Sequence, residues 1–454
     1  MPMSMTSETV ARWRGARLPR YTSYPTAPHF TDAVDHTVYG RWLAGIGDGT
    51  PLSLYVHVPF CRAMCWYCGC HTKVSRKAEP VSRYVGTLEQ EARLVAGCIS
   101  TAPVVRHLHF GGGTPTIMQP DEMRHLMTVL RTLFQFADDG EVALEIDPRT
   151  LTSAMADVLA DCGFTRASLG VQSFDPAVQT AINRLQTPDE TSAAVSALRT
   201  RGVTAINFDL IYGLPHQSVE SCRDTVARCL AMAPDRLAVF GYAHVPDFKK
   251  HQQRIDPSWL PDGGARQDQA EAIATALSAA GYVRIGLDHY ALPDDPLARA
   301  AATGRLHRNF QGYTVDDCET LIGLGASAIG RTAHGYVQNH VPMGRYAAHI
   351  ADGHLATARG YQLSAEDRLR GDLIERIMCD MSVDVAAVCR RHGRDTTVAA
   401  DALSRLQPLA ADGIVRLDGN RVSVAEDAWF LVRAAAAAFD AYLPASPRQH
   451  SRAV

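Results

Sequence analysis

The sequence predicts an α/β fold: a partial (β/α)6 barrel with an N-terminal arm and a mainly helical, winged-helix-like C-terminal domain. Three observations carry that expectation. Apolar strand candidates alternate with helical segments from residue 52 onward, the pattern of a parallel sheet covered by helices. Chemically specific residues recur at the C-terminal ends of those strands, where a barrel gathers its functional groups. From about residue 360 the chain turns helical and charged, then closes on a short hairpin.

Residues 1–50 lack a strong period. They contain Arg20-Tyr-Thr-Ser-Tyr-Pro-Thr-Ala-Pro28, rich in aromatics and proline, which reads as an irregular arm docked on the barrel. The first strand, Leu52–Val58, leads into Cys61-Arg-Ala-Met-Cys65-Trp-Tyr-Cys68-Gly-Cys70. A helix over Glu79–Val95, a strand over Val104–Phe110 and a helix over Gln119–Leu133 follow. Continuous apolar strands are predicted at Glu141–Ile146, Arg166–Val171, Ala205–Ile211 and Arg236–Tyr242, with helical segments between them. Six such units fit a partial barrel better than a closed eight. Beyond them lie a helix (Ala265–Ala280), a strand (Tyr282–Leu287), a loop (Leu306–Thr314) and a glycine- and alanine-rich segment (Leu321–Ile329). Helices over Ser364–Met378, Val383–Arg391 and Thr397–Leu409 precede a hairpin that turns at Asp418-Gly-Asn420, together resembling a winged helix. The expected divisions are an arm over 1–50, a barrel with its extension over 51–355 and a helical domain over 356–454.

The chain has 454 residues, 46% hydrophobic and 20% charged, enough for a sizeable core. A net charge of −3 argues against a dedicated nucleic-acid or anionic-membrane surface. No apolar run reaches the ~18 residues that span a bilayer, and the first residues lack a secretion pattern. Eleven unevenly spaced cysteines read as reduced thiols, so the expected compartment is the cytoplasm. Nothing in the pattern calls for an obligate interface, and a monomer is expected.

The chemistry concentrates in Cys61, Cys65 and Cys68. Thiolates suit iron–sulfur clusters, and three from one loop suggest a [4Fe–4S] cluster with one iron left open for a small molecule. The alternatives are a zinc site, a redox dithiol or scattered core cysteines; zinc sites favour paired CxxC, and no second pair occurs. The strand ends offer Gly111–Gly113, Glu145 with Asp147, Gln172, Asp209, and Tyr242 with His244. Glycines let a backbone approach a ligand closely. Glu145 and Asp209 can each accept hydrogen bonds from ribose hydroxyls or an ammonium group. Arg184 can clamp a carboxylate, although its spacing gives it no such support. Each of these side chains also has an ordinary reading as a salt-bridge partner.

The cysteine spacing resembles the signature of the radical S-adenosylmethionine (SAM) enzymes, and the chain as a whole resembles the oxygen-independent coproporphyrinogen III oxidases among them. The residues that carry this include Arg20-Tyr-Thr-Ser-Tyr-Pro25, Tyr55-Val-His-Val-Pro-Phe-Cys61, Phe110-Gly-Gly-Gly-Thr-Pro-Thr116, Glu145-Ile-Asp-Pro-Arg149 and Asn207-Phe-Asp-Leu-Ile-Tyr-Gly-Leu-Pro215. Asp235–His244, His307–Tyr313 and Gly323–Ile329 extend the match over nearly the whole length. The resemblance implies a radical SAM barrel, a [4Fe–4S] cluster on Cys61, Cys65 and Cys68, and two bound SAM molecules. It implies SAM contacts at Tyr55, Tyr67, Gly112, Gly113, Thr114, Glu145, Gln172, Arg184, Asp209, Ala243 and Ile329. Cys70 is not expected to be a ligand. The implied reaction converts two propionate side chains of coproporphyrinogen III to vinyl groups in haem biosynthesis, giving protoporphyrinogen IX, with an electron-donor protein reducing the cluster. Arg20, Arg308 and His244 are candidate partners for the substrate carboxylates.

Two rivals remain at this point. A related haem chaperone shares the barrel but lacks the RYTSYP arm and the second cysteine of CxC, and has a Trp after the Tyr of its haem-binding motif. Here Cys70 is present and Tyr313 is followed by Thr314. A DNA-binding regulator would use the winged-helix end, but acidic residues interrupt its arginines.

Overall fold

The computed structural model describes residues 12–443 apart from residue 14. The start of the predicted arm and the last residues of the predicted C-terminal domain lie outside the described residues. Helix α1 (His36–Ala44), N-capped by Asp35, leads to strand β1 (Pro51–Val58). Then follow α2 (Glu79–Gly97), β2 (Val104–Gly112), α3 (Pro120–Leu133), β3 (Gln135–Ile146), α4 (Ser153–Asp161) and β4 (Arg166–Gln172). The series ends with α5 (Pro188–Arg199), β5 (Ala205–Tyr212), α6 (Val219–Ala231) and β6 (Arg236–Gly241). Strands β1 to β6 pair in parallel, each with the next. Capping boxes at Thr187 and Ser218 set the starts of α5 and α6, satisfying main-chain N–H groups that have no partner within the helix.

The strands are not continuously apolar, as their sequence suggested. In β4, Ala167, Leu169 and Val171 are buried, while Arg166, Ser168 and Gly170 alternate with them; β5 repeats this with Ile206, Phe208 and Leu210 against Asn207 and Asp209. The apolar set joins the main core under the helices, and the polar set meets inside the barrel, where Ser168 Oγ reaches Asp209 at 2.9 Å. One face of the sheet therefore packs, and the other lines a site.

After α7 (Gly263–Ala279), strands β7 (Val283–Ile285) and β8 (His289–Ala291) extend one edge of the sheet, β8 antiparallel to β6 and β7 antiparallel to β8. At the other edge, β9 (Thr320–Leu324) pairs in parallel with β1 and is a seventh parallel strand that the six-unit reading left out. Its glycines hid it, since Gly323 and Gly325 depress strand propensity. Antiparallel β10 (Ile329–Thr332), β11 (Gly335–Asn339) and β12 (Thr357–Gln362) complete that edge, with helix α8 (Met343–Ala351) between the last two. The sheet stays open, as a partial barrel. The predicted loop at 306–314 is instead a small hairpin, His307–Asn309 with Gly312–Thr314.

Helices α9 (Ala365–Asp380), α10 (Val385–Arg391) and α11 (Ala400–Ala411) join a three-stranded sheet made by Ser382–Asp384, Val415–Asp418 and Arg421–Val424. Their apolar residues form a second core that also takes in Leu18, Tyr21 and Tyr24. Tyr21 OH donates to Asp440 at 3.0 Å, and Tyr24 OH accepts from Ala441 N, so the segment around residues 18–24 packs on the C-terminal domain.

Candidate active site

The cysteine loop follows β1 and is closed by a short parallel bridge between Phe60–Cys61 and Lys73–Val74. Other segments hold its main chain. Trp66 N donates to Ile182 O, Asn183 Nδ2 to Met64 O, Gln252 Nε2 to Tyr67 O and Lys249 Nζ to Cys70 O, all within 3.0 Å. His251 Nε2 lies 2.7 Å from Cys68 O.

Each of the three spaced thiols faces polar donors. Thr72 and Thr114 hydroxyls lie 3.3 and 3.6 Å from Cys61 Sγ, and Arg184 Nη1 and Arg149 Nη2 lie 3.6 and 3.8 Å from Cys65 Sγ. Cys70 N donates to Cys68 Sγ at 3.4 Å. The side-chain hydrogen bond from Cys70 draws the Cys68 thiol down to about 7 against its burial, with Lys249 and Arg184 adding to the effect. Burial pushes Cys61 the other way, opposed by the two threonines. Donors and cations around sulfur stabilise thiolates, the form that binds metal.

Spacing separates a cluster from a single ion. Among the described residues, the only His/Cys/Asp/Glu trio whose ligand atoms all lie within 4.8 Å of one another is His107, Asp316 and Cys318. Cys61, Cys65 and Cys68 are not such a trio, so at least one pair of their sulfurs stands more than 4.8 Å apart, beyond the ~3.8 Å that tetrahedral zinc imposes. A polynuclear cluster fits them better.

Around the thiols the implied SAM positions fall into two contact groups. In the first, Gly112 N donates to Glu145 Oε2 at 3.0 Å, and Glu145 Oε1 lies 3.6 Å from His109 Nε2. Tyr55 stacks on His109 and its hydroxyl lies 2.9 Å from His57 Nδ1. Gly323 pairs in register with Tyr55, and a Cβ on it would meet Ile329 O at 2.8 Å, which places Ile329 beside this group. Gly112 has φ +108° and passes so close to His57 that a Cβ would lie 2.6 Å from Nδ1. The next residues, Gly113 and Thr114, run against the Phe60 main chain, with Thr114 N donating to Phe60 O at 2.8 Å.

In the second group, Arg184 Nη2 donates to Gly170 O at 2.6 Å and lies 3.4 Å from Asp147 Oδ1. Burial opposes the charge of Arg184, but Tyr67, Asp147 and Cys65 offset it, so its pKa lies above its ordinary value. Gln172, two residues past Gly170, adopts a left-handed φ of +66° at the strand end. Gln252 Nε2 reaches both Tyr67 O and Ala243 O, at 2.9 and 3.3 Å. Asp209 accepts from Ser168 and Asn207, and burial, with the charge of Glu145 second, raises its carboxyl to about 6. Arg184 Nε and His109 Nε2 are buried without a hydrogen-bond partner, as expected where a polar ligand completes the site.

Beside this centre lies a cavity of about 520 Å³, between the end of β6, α7, the N-terminal segment and the C-terminal domain. It is lined by Arg17, Arg20, Arg266, Arg308 and Arg433, against Asp247 and Asp288. All three candidate carboxylate partners, Arg20, Arg308 and His244, line it. Burial, with the charges of Arg20 and Arg308 adding to it, lowers Arg433 to about 10. Arg308 Nε and Nη1 are buried without a hydrogen bond, Nη1 standing 3.8 Å from Asp288.

The sequence reading did not single out Arg149, the clamp at 249–252, Arg266 or Arg433. Arg149 stands in the quoted Glu145–Arg149 motif, two residues past Asp147, whose carboxylate it holds at 2.6 Å. Arg433 sits in an alanine-rich stretch with no chemical pattern, and only docking of the C-terminal domain brings it to the cavity.

Comparison with known proteins returns the same chemistry. Residues 55–229 match the model of the radical SAM superfamily. The oxygen-independent coproporphyrinogen III oxidase of Bradyrhizobium diazoefficiens is 56% identical over 450 residues, covering 99% of this chain and 100% of that protein. The enzyme of the same name from Paracoccus denitrificans is 44% identical, over 94% of each chain. A solved structure of the Escherichia coli coproporphyrinogen III oxidase, described as a radical SAM enzyme, superposes with a TM-score of 0.90 at 36% identity, covering 97% of this chain and 100% of that one.

Proposed function

The chain belongs to the oxygen-independent coproporphyrinogen III oxidases, radical SAM enzymes of haem biosynthesis, and from that premise we propose how its residues divide the work. The substrate is coproporphyrinogen III, and two of its propionate side chains are each converted to a vinyl group by loss of a β-hydrogen atom, CO2 and one electron passed to an electron acceptor, giving protoporphyrinogen IX. Cys61, Cys65 and Cys68 hold a [4Fe–4S] cluster, and the donors on each sulfur support that assignment. The bound cluster and SAM supply the radical that removes a hydrogen from each propionate; the protein supplies position and exclusion of water.

Tyr55, Gly112, Glu145 and Ile329 form one SAM subsite, and Tyr67, Gln172, Arg184 and Ala243 a second. Gly113, Thr114 and Asp209 stand where the two meet the cluster loop and the barrel interior. The separation of the contacts into two groups supports two SAM molecules. Glu145 and Asp209 accept hydrogen bonds from ribose or ammonium, and Arg184 offers a buried donor to a carboxylate.

The single observation that carries the substrate reading is the arginine-lined cavity beside the cluster loop. A substrate with four carboxylates needs several cations in one apolar enclosure. Arg20, Arg266, Arg308 and Arg433 provide them among Phe240, Tyr290, Trp429 and Phe430. Arg17 and Arg20 of the arm and Trp429, Phe430 and Arg433 of the C-terminal part close that cavity over the barrel, whose sheet runs on through β12 past the expected division at 355. The second apolar core, shared by Leu18, Tyr21 and Tyr24 with the C-terminal part, supports this closure.

No helix among the described residues is long and apolar enough to cross a membrane. None of the eleven cysteines is in a disulfide, which supports a reducing, cytoplasmic setting, and the reading extends to a monomer reduced by an electron-donor protein.

The test is anaerobic. The reconstituted, reduced protein is given SAM and coproporphyrinogen III, and 5′-deoxyadenosine and protoporphyrinogen IX are followed together. One deoxyadenosine per vinyl formed is expected. Deoxyadenosine without porphyrin conversion would reject the substrate and keep the radical chemistry.

A further inference from the structure

His107, Asp316 and Cys318 bring one nitrogen, one carboxylate oxygen and one sulfur within 4.8 Å of one another, far from the cysteine loop. We infer that they form a second metal site, for a single Zn2+ ion, at the opposite end of the barrel. The three residues come from distant parts of the chain. His107 lies in the first half of β2, and Asp316 and Cys318 lie in the segment that runs into β9. His107 Nε2 and Asp316 Oδ1 stand 3.7 Å apart, a little wider than the ~3.4 Å that a tetrahedral zinc sets between two such ligands.

The donor set suits zinc. A neutral imidazole, a carboxylate and a thiolate cancel the charge of a divalent ion, and a mixed nitrogen, oxygen and sulfur set is one zinc accepts readily. The carboxylate is already oriented. Ser53 Oγ donates to Asp316 Oδ2 at 2.5 Å, and Cys318 N donates to Asp316 Oδ1 at 3.0 Å, the outer contacts that fix a metal ligand in place. All three side chains are part-buried, and the fourth position falls to water.

The site is separate from the cluster. His107 stands opposite Ser53 in the β1–β2 register, while the cysteine loop begins beyond Val58, about 16 Å along the strand. Its place suggests what it does. The ion ties the segment entering strand β9 to β2, with β1 between them holding Asp316 through Ser53. It fastens the seventh parallel strand to the barrel from below, and β9 in turn carries Gly323 and leads to Ile329.

The holoenzyme tests this with Zn2+ itself. Protein with its cluster reconstituted, so that the loop thiols are closed to zinc, is dialysed against micromolar Zn2+, then its iron and zinc are counted. One zinc per chain is expected. Cys318→Ser and His107→Gln should each lower zinc affinity about tenfold or more, and Ser53→Ala about tenfold, with iron content unchanged. Zinc that is absent from the wild type, or retained by both ligand variants, overturns the site. Where a variant loses iron as well, zinc-edge absorption of the wild type decides. One sulfur at about 2.3 Å with nitrogen and oxygen at about 2.0–2.2 Å supports the site, and an all-sulfur or sulfur-free shell rejects it.

Discussion

Glu91 Oε2 accepts the main-chain N–H of Gly325 at 2.6 Å, tying helix α2 to the turn after β9. The same carboxylate accepts from Asn339 Nδ2 at 2.6 Å and Tyr346 OH at 2.7 Å. Next to it, Tyr84 OH donates to His57 O and accepts from Ala326 N, both at 2.8 Å. Two buried side chains of α2 thus pin the glycine turn against β1, and with it the position of Ile329.

This buried carboxylate makes stability depend on pH. Burial raises Glu91 from its ordinary 4.5 to about 7, against the pull of its three donors. The folded state then keeps a proton that the unfolded chain has released, so its stability falls as pH climbs through that window. Between pH 5.5 and 8 the wild type should lose about 2 kcal/mol relative to Glu91→Gln, at ~1.36 kcal/mol per unit. Urea unfolding of both proteins at the two pH values measures it; a difference that is flat with pH would remove Glu91 as the cause.

The thiols should separate cleanly. Cys61→Ser, Cys65→Ser and Cys68→Ser are each expected to lose the cluster, whereas Cys70→Ser keeps its iron. Cys70 touches Cys68 through its main-chain N–H, which a serine retains, and through its side chain, whose donor the serine hydroxyl replaces. Iron and sulfide content after anaerobic reconstitution reads this directly, and an iron-free Cys70→Ser would make Cys70 a ligand.

Glu145 is expected to serve SAM and not the cluster. Glu145→Ala removes the acceptor of Gly112 N and should weaken SAM binding about tenfold, from ~1.5 kcal/mol per charged hydrogen bond, at full iron content. Equilibrium dialysis with labelled SAM also counts the sites. Two per wild-type chain, with one weakened by Glu145→Ala and the other by Arg184→Lys, is the expected outcome.

Gly113→Ala should fail for a different reason. Its Cβ would lie 2.7 Å from Phe60 N, inside a main-chain crossing that has no flexible side chain to yield. The β1 end and the cysteine loop would have to move, so both the melting temperature and the reconstituted iron content should fall. A variant with native values of both would show that the crossing has slack.

In the cavity, Arg308→Gln should raise KM for coproporphyrinogen III about tenfold or more, from the loss of one charge-assisted contact, with SAM affinity unchanged. Steady-state kinetics beside SAM dialysis separates the two, and an unchanged KM would leave Arg308 a partner of Asp288 alone.

Much of this protein was legible in its residue order. The cysteine spacing, the glycine run after β2 and the carboxylates at the ends of β3 and β5 are local signals, because a strand that ends at a barrel mouth must place its next residues there. The alternation of βα units also follows from near-neighbour pattern. Other features are set by contacts between distant segments, which no local period records. Strand β9 was hidden by its glycines. Arg184 had no support from spacing, and only folding set it beside Cys65 and Gly170. Arg433 reaches the cavity only because the C-terminal helices share a core with Leu18, Tyr21 and Tyr24. The sequence by itself determined the family and the parallel barrel. Only the tertiary structure decided which cations surround the cavity, and that His107 meets Asp316 and Cys318, because those encounters depend on how whole elements pack.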